Sequence, residues 1–168
     1  GTMFVGGTFT QFNGVARNKI AKLNVDGSVD ATFTYTPPNA NTVIKDLEYL
    51  GDGRLVISGD QTATVNDSVT RLSVDGSVDA TFSAKIGRNE RIRKIVQAPD
   101  GKIYIAGEFR TVLGVTRVSL ARLNSDGSLD TTFAPYFNNA GFLRIESLVL
   151  QNDGKIVVGF YGGLGMKR

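Results

Sequence analysis

Cysteine, histidine and tryptophan are all absent from this chain of 168 residues. Without cysteine there are no disulfides and no thiolate metal sites, and cysteine usage says nothing about compartment. Without histidine, the commonest general base and the commonest zinc ligand are both missing. A Ser-His-Asp triad is impossible, and any zinc site would have to be all-carboxylate. No apolar run approaches the ~18–20 residues needed to cross a membrane, so membrane insertion is not expected. No segment carries a sustained helical period with capping signals. Charge of one sign is also scarce. Nineteen basic against sixteen acidic residues leave a net charge of +3. The pI of 9.3 overstates that mild excess, and no nucleic-acid partner is expected.

What the chain has instead is repetition. The stretch LNVDGSVDATF (residues 23–33) returns as LSVDGSVDATF (72–82) and as LNSDGSLDTTF (123–133). The glycines of its Asp-Gly pairs, Gly27, Gly76 and Gly127, are 49 and 51 residues apart. A second phrase lies between the copies: GDGRLVISG from Gly51, PDGKIYIAGEF from Pro99 and NDGKIVVGF from Asn152. Aligned without gaps, residues 1–28 and 101–128 share twelve of 28 positions. The chain therefore starts and stops within a phrase. The expectation is repeats at about 1–52, 53–100 and 101–153, with a partial fourth at 154–168.

Each repeat reads as β-structure. Residues 102–107 are rich in β-branched and aromatic residues, 119–124 are a second strand candidate, and 145–151, with counterparts at 43–50 and 91–97, are a third whose alternation gives it a preferred face. Asp-Gly turns join the strands on either side as hairpins. A fourth, outer strand belongs near the DATF segment but has no clear bounds. Short antiparallel strands repeating about every fifty residues predict an all-β, propeller-like fold. It would comprise three blades and the first strand of a fourth, as part of a larger propeller.

Two chemistries compete for the repeated phrase. In an EF-hand register, Asn24, Asp26, Ser28 and Asp30 supply oxygens around Gly27. That register puts Lys22, Arg71 and Arg122 at the first ligand position and Phe33, Phe82 and Phe133 at the twelfth. A cation repels calcium there and a phenyl ring supplies no carboxylate, so no metal or other cofactor is expected. The structural reading accounts for more residues. Asp26–Gly27, Asp75–Gly76 and Asp126–Gly127 make turns. Asp30, Asp79 and Asp130 cap the next turn or pair with Lys22, Arg71 and Arg122. Phe33, Phe82 and Phe133 enter the core between blades.

The pairing of LNxDGSLDxTF (residues 123–133, and again 23–33) with QxDGKIxxxGxF (97–109) resembles the delta-60 repeat, a propeller-type repeat of bacterial surface or secreted proteins and some phage proteins. The resemblance implies a propeller fold and an extracellular, cell-surface or virion setting. It carries no catalytic residues, so it implies no enzymatic activity. The middle repeat departs from the pattern. SGDQTATVNDSVTRLS stands where the third repeat has GEFRTVLGVTRVSLARLN, which predicts a shorter connection there.

Three blades do not close a ring of ~4–8. The expected partners are therefore the remaining blades of the same polypeptide or other copies of the chain. Divergence between repeats is concentrated after each phenylalanine, in residues 34–42, 83–91 and 134–142. Equivalent loops gather on one face of a propeller and commonly carry binding. Tyr35, Asn39 and Asn41, with Tyr136, Phe137, Asn138 and Asn139, combine rings with amides, a set suited to a glycan or a surface protein. The basic stretch 87–94 is read as a charge-guarded strand edge. The reading is a non-enzymatic interaction module. The alternatives are a carboxylate-dependent propeller lyase or glycoside hydrolase, for which Glu48 and Glu146 would have to converge, and a pure scaffold.

Overall fold

The structure, a computed structural model, describes residues 1–60, 67–87, 90–135 and 144–161. The described residues form fifteen strands and no helix. The first sheet pairs β1 (Met3–Gly6) with β4 (Ile20–Leu23), and a small hairpin of β2 (Gln11–Phe12) and β3 (Val15–Ala16) lies between them in sequence. The second is four-stranded, in the order β5 (Val43–Leu50), β6 (Arg54–Asp60), β7 (Asp67–Leu72), β8 (Val78–Lys85). The third runs β9 (Arg91–Gln97), β10 (Ile103–Glu108), β13 (Leu120–Leu123), with a second small hairpin of β11 (Thr111–Val112) and β12 (Val115–Thr116). The last pairs β14 (Arg144–Leu150) with β15 (Ile156–Tyr161). All pairings are antiparallel.

Strand and sequence repeat are out of phase. β5, β9 and β14, which precede an Asp-Gly turn, share a sheet with the strand that follows the turn. Blade boundaries therefore fall in the divergent connections. The outer strand near DATF exists as β8 in the middle repeat, where Ala84 and Ile86 continue the inward alternation. In the first and third repeats it shrinks to single bridges, Leu23 to Val29 and Leu123 to Leu129.

The core lies between sheets, because strands that alternate apolar residues on both faces must be covered on both. Ile20 of the first sheet and Phe33 beyond it pack with Ile44, Leu55, Ile57 and Leu72 of the second sheet. Val56, Val69 and Phe82 of the second sheet meet Ile95, Ile103 and Ile105 of the third. Tyr104, Ala106 and Leu120 of the third meet Ile145, Leu148 and Val158 of the fourth.

One irregularity recurs. Lys45, Arg93 and Glu146 are left out of the ladder by a register shift at the same place in each of β5, β9 and β14. Opposite two of these bulges stand Gly59 and Gly107, where a Cβ would collide with the carbonyl oxygens of Val43 and Arg91. The glycines admit a backbone approach that any side chain would block.

Candidate functional site

The repeated phrase is a hydrogen-bonded unit. Asp26 Oδ1 accepts the Ser28 N–H (2.9 Å) and hydroxyl (2.7 Å), and Asp30 Oδ1 accepts the Thr32 N–H (2.8 Å) and hydroxyl (2.6 Å). Asp75 with Ser77, Asp79 with Thr81, Asp126 with Ser128 and Asp130 with Thr132 repeat the arrangement. Gly27, Gly76 and Gly127 adopt φ of 82°, 89° and 88°, the left-handed region the turn demands. The second carboxylate oxygen takes a cation. Lys22 pairs with Asp30 at 2.7 Å, Arg71 with Asp79 at 2.8 Å, and both Arg122 and Lys102 with Asp130. These bonds favour the ionised form. The Lys22 ammonium and then Thr32 hold Asp30 well below the usual carboxylate range, and Lys102 and Thr132 do the same for Asp130. The Thr81 hydroxyl and N–H, then Arg71, lower Asp79 to about 2. Among the described residues, no group of three acidic side chains is placed to hold a metal ion.

The phrase also joins blades. The turn of one repeat sits on the end of the phrase before it. Thr34 N–H donates to the Asp75 carbonyl (2.8 Å), and a Cβ on Gly76 would press on the Thr34 backbone. Gly127 lies against the Phe82 ring in the same way. Arg71 completes the second joint: it grips Asp79, stacks over Phe82 at 4.8 Å and donates to the Ser125 carbonyl (2.6 Å) of the next turn. Phe33 and Phe82 are buried, whereas Phe133 is half-buried under Arg122 and edge-on to Tyr104.

A second joint had no signal in the sequence. Asp46 of β5 accepts the Ile95 N–H of β9 at 2.6 Å and the Lys94 ammonium at 2.9 Å, and Glu48 accepts the Gln97 N–H at 3.0 Å. Ile95 and Gln97 are two apart on the strand, with Val96 between them, so both capped N–H groups lie on the side away from β10. The carboxylates thus satisfy the open edge of an inner strand. Glu146 instead pairs with Arg144 on its own strand. Glu48 and Glu146 thus have separate partners.

Alternation of antiparallel strands sends all Asp-Gly turns to one end of the blades. The two small hairpins and the described part of the link after β8 go to the other, whereas the connection after Phe33 starts against the Asp75–Gly76 turn at Thr34 and crosses to the start of β5. The link after β8 shows this directly: Ile86 bridges to Val112, Leu113 N–H donates to the Lys85 carbonyl, and Gly87 N–H donates to Thr111. Glu90 fixes the link by accepting the N–H groups of Gly87 (2.8 Å) and Thr111 (3.2 Å). Neighbouring basic residues are engaged: Arg93 with Glu108 at 3.5 Å and Lys94 with Asp46, while Arg91 is exposed. The tips of the small hairpins present Val15, Leu113 and Val115 to solvent, three residues that sequence reasoning missed.

Of the ring-and-amide set, Tyr35 is 2% exposed and belongs to the core with Phe33, Ile44 and Leu72. Burial raises its phenol to about 12, and its ring is not on the candidate face. Asn39 and Asn41 share one turn, in which the Asn39 side chain accepts the Asn41 N–H at 2.9 Å. Asn41 is exposed and Asn39 is half-buried. Tyr136, Phe137, Asn138 and Asn139 lie outside the described residues.

A family model described as "Domain of unknown function (DUF5122) beta-propeller" matches residues 1–33, 50–82 and 98–133. The chain belongs to this family. The match covers more than half of the chain, and each matched segment of this DUF5122 propeller stops at a phenylalanine of the repeated phrase. The DUF5122 units thus contain the blade-joining turns and leave out the divergent connections. No curated protein matches the chain.

Proposed function

We propose that this DUF5122 propeller is a non-enzymatic interaction module that presents its divergent connections to a glycan or a protein partner. One observation carries the reading: among the described residues, the Asp-Gly turns join blades at one end, while the residues just before β5, the link after β8 and the two small hairpins lie at the other. Asn41, the hairpin tips Val15, Leu113 and Val115, and Arg91 give that end exposed amide, apolar and cationic groups. The likeness of the phrases to delta-60 repeats supports placing the parent protein outside the cell, on a cell surface or a virion.

The test is binding of the 168-residue chain to an array of bacterial and host surface glycans, beside a variant with residues 36–41 replaced by a Gly-Ser linker and an Asn41→Ala variant. The expected result is binding to a restricted glycan class, weakened at least tenfold by the replaced connection. Equal binding by all three proteins would place the contact elsewhere and sink the proposal. Absence of binding to any glycan would leave a protein as the partner, to be sought by cross-linking through a cysteine introduced at Asn41.

A further inference from the structure

The second small hairpin ends in a residue that its turn does not favour. Asn13 and Leu113 hold the same place in the two hairpin turns, with φ of 47° and 51°. Asparagine visits that left-handed region readily, whereas a leucine there is an outlier. The core does not draw Leu113 in. Val112 makes the hairpin's buried contact, while Leu113 and Val115 are each 41% exposed and nothing lies within 4 Å of a Cβ on Gly114 between them. A strained, exposed aliphatic residue of this kind points to a contact outside the chain.

Cations collar the tip. Leu113 N–H donates to the Lys85 carbonyl (2.8 Å), which sets Lys85 beside it. Thr111 is bonded to both Gly87 and Glu90, and this brings their neighbours Arg110 and Arg91 to the same junction. Lys85, Arg91 and Arg110 are all exposed. The acids here are engaged: Glu90 accepts the N–H groups of Gly87 and Thr111, and Glu108 pairs with Arg93. Val15, the counterpart of Val115, is 40% exposed at the tip of the first hairpin. Radial repetition puts equivalent positions of the blades at one height, so a flat partner meets both tips.

We infer that this end of the blades docks on an anionic lipid surface. Leu113 and Val115 enter the headgroup layer, and Lys85, Arg91 and Arg110 meet lipid phosphates. Charge complementarity selects an anionic partner, and an aliphatic tip offers no ring face on which a sugar could stack. Attachment by two aliphatic side chains and a few cations is weak, reversible and salt-sensitive, and it needs no spanning segment. The inference does not depend on the glycan reading, because the two are told apart by which variant loses which ligand.

The experiment is co-sedimentation with vesicles of phosphatidylcholine carrying about a third phosphatidylglycerol, beside neutral phosphatidylcholine vesicles and soluble polygalacturonate. The wild-type chain should bind the anionic vesicles and neither of the others. Leu113→Asn should weaken that binding about tenfold, and Lys85→Gln and Arg91→Gln about fivefold each. Thermal unfolding should show Leu113→Asn no less stable than the wild type, so that its lost binding is not lost fold. Asn41→Ala should bind vesicles as the wild type does. No binding of the wild type to anionic vesicles overturns the inference, as do equal binding to neutral vesicles and an unchanged affinity in Leu113→Asn. Binding to polygalacturonate in place of vesicles would overturn it in favour of an acidic glycan.

Discussion

Gly27→Ala and Gly76→Ala change the same letter of the same phrase and should differ severalfold in cost. The backbone angle is nearly the same, φ 82° and 89°. Alanine therefore meets the same left-handed penalty at both, ~1–2 kcal/mol. Nothing lies within 4 Å of the new methyl at Gly27. At Gly76 it would stand 2.6 Å from the Thr34 carbonyl oxygen and 2.7 Å from its carbon. Those are backbone atoms of the previous repeat and have no rotamer to change. The turn must lift, adding ~1–3 kcal/mol of overpacking. The Thr34–Asp75 bond is lost with it, a further ~0.5–1.5 kcal/mol. The totals are about 1–2 kcal/mol at Gly27 and about 3–6 kcal/mol at Gly76. Gly127→Ala should fall between, since its methyl meets the Phe82 ring, a side chain that can tilt. Urea unfolding followed by circular dichroism reads the difference. With a slope of ~2 kcal/mol per molar, the midpoint should drop about 0.5–1 M for Gly27→Ala and about 1.5–3 M for Gly76→Ala. Equal shifts would mean that the turn does not hold blades together, and the account of the phrase as a joint would fail.

Acid should loosen the same joints. Asp30, Asp79 and Asp130 have lowered folded-state values, so the stability they contribute is fully present above the unfolded carboxylate value near 4 and is lost as pH falls through the folded one. For Asp79 the loss should run from about pH 4 to about pH 2, read as a falling thermal midpoint; a flat profile over that window would refute the assignment. Leu113 holds φ of 51° in the two-residue turn before Gly114, where the first repeat has Asn13. Leu113→Asn should stabilise by about 1 kcal/mol and raise Tm by about 2–4 °C, measured by calorimetry. Asp46→Ala should free the Ile95 N–H and unpair Lys94; amide exchange at Ile95 should accelerate at least tenfold, with Val96 unchanged until the whole blade opens.

What could be read from the sequence follows from how local each signal is. Asp-Gly pairs and β-branched runs are local, and β5 and β9 lie where their residues predict. The small hairpins carried a signal at Asn13–Gly14 that was easy to pass over, because two-residue strands leave no alternation to notice. The outer strand near DATF had no clear bounds in the sequence, and the structure forms it as a full strand only in the middle repeat, where Ala84 and Ile86 continue the inward alternation. Tyr35 looked like a loop ring, and what draws it inward is a contact with no local signature: Thr34 bonded to a carbonyl forty-one residues away. Glu48 was visible only as a possible partner for Glu146, and its joint with Asp46 was hidden, because the partners are main-chain groups of another repeat, and backbone leaves no mark in the residue code.

The joint has a direction, and that bears on how such a chain lengthens. Each phrase is a seat at its phenylalanine and a plug at its glycine turn, one facing forward and one back. A fifty-residue stretch copied and inserted at a divergent connection would arrive with both halves already matched to its neighbours. No compensating change elsewhere would be required. A protein of this design can gain blades by simple duplication, and it can vary what it displays without altering what binds one blade to the next.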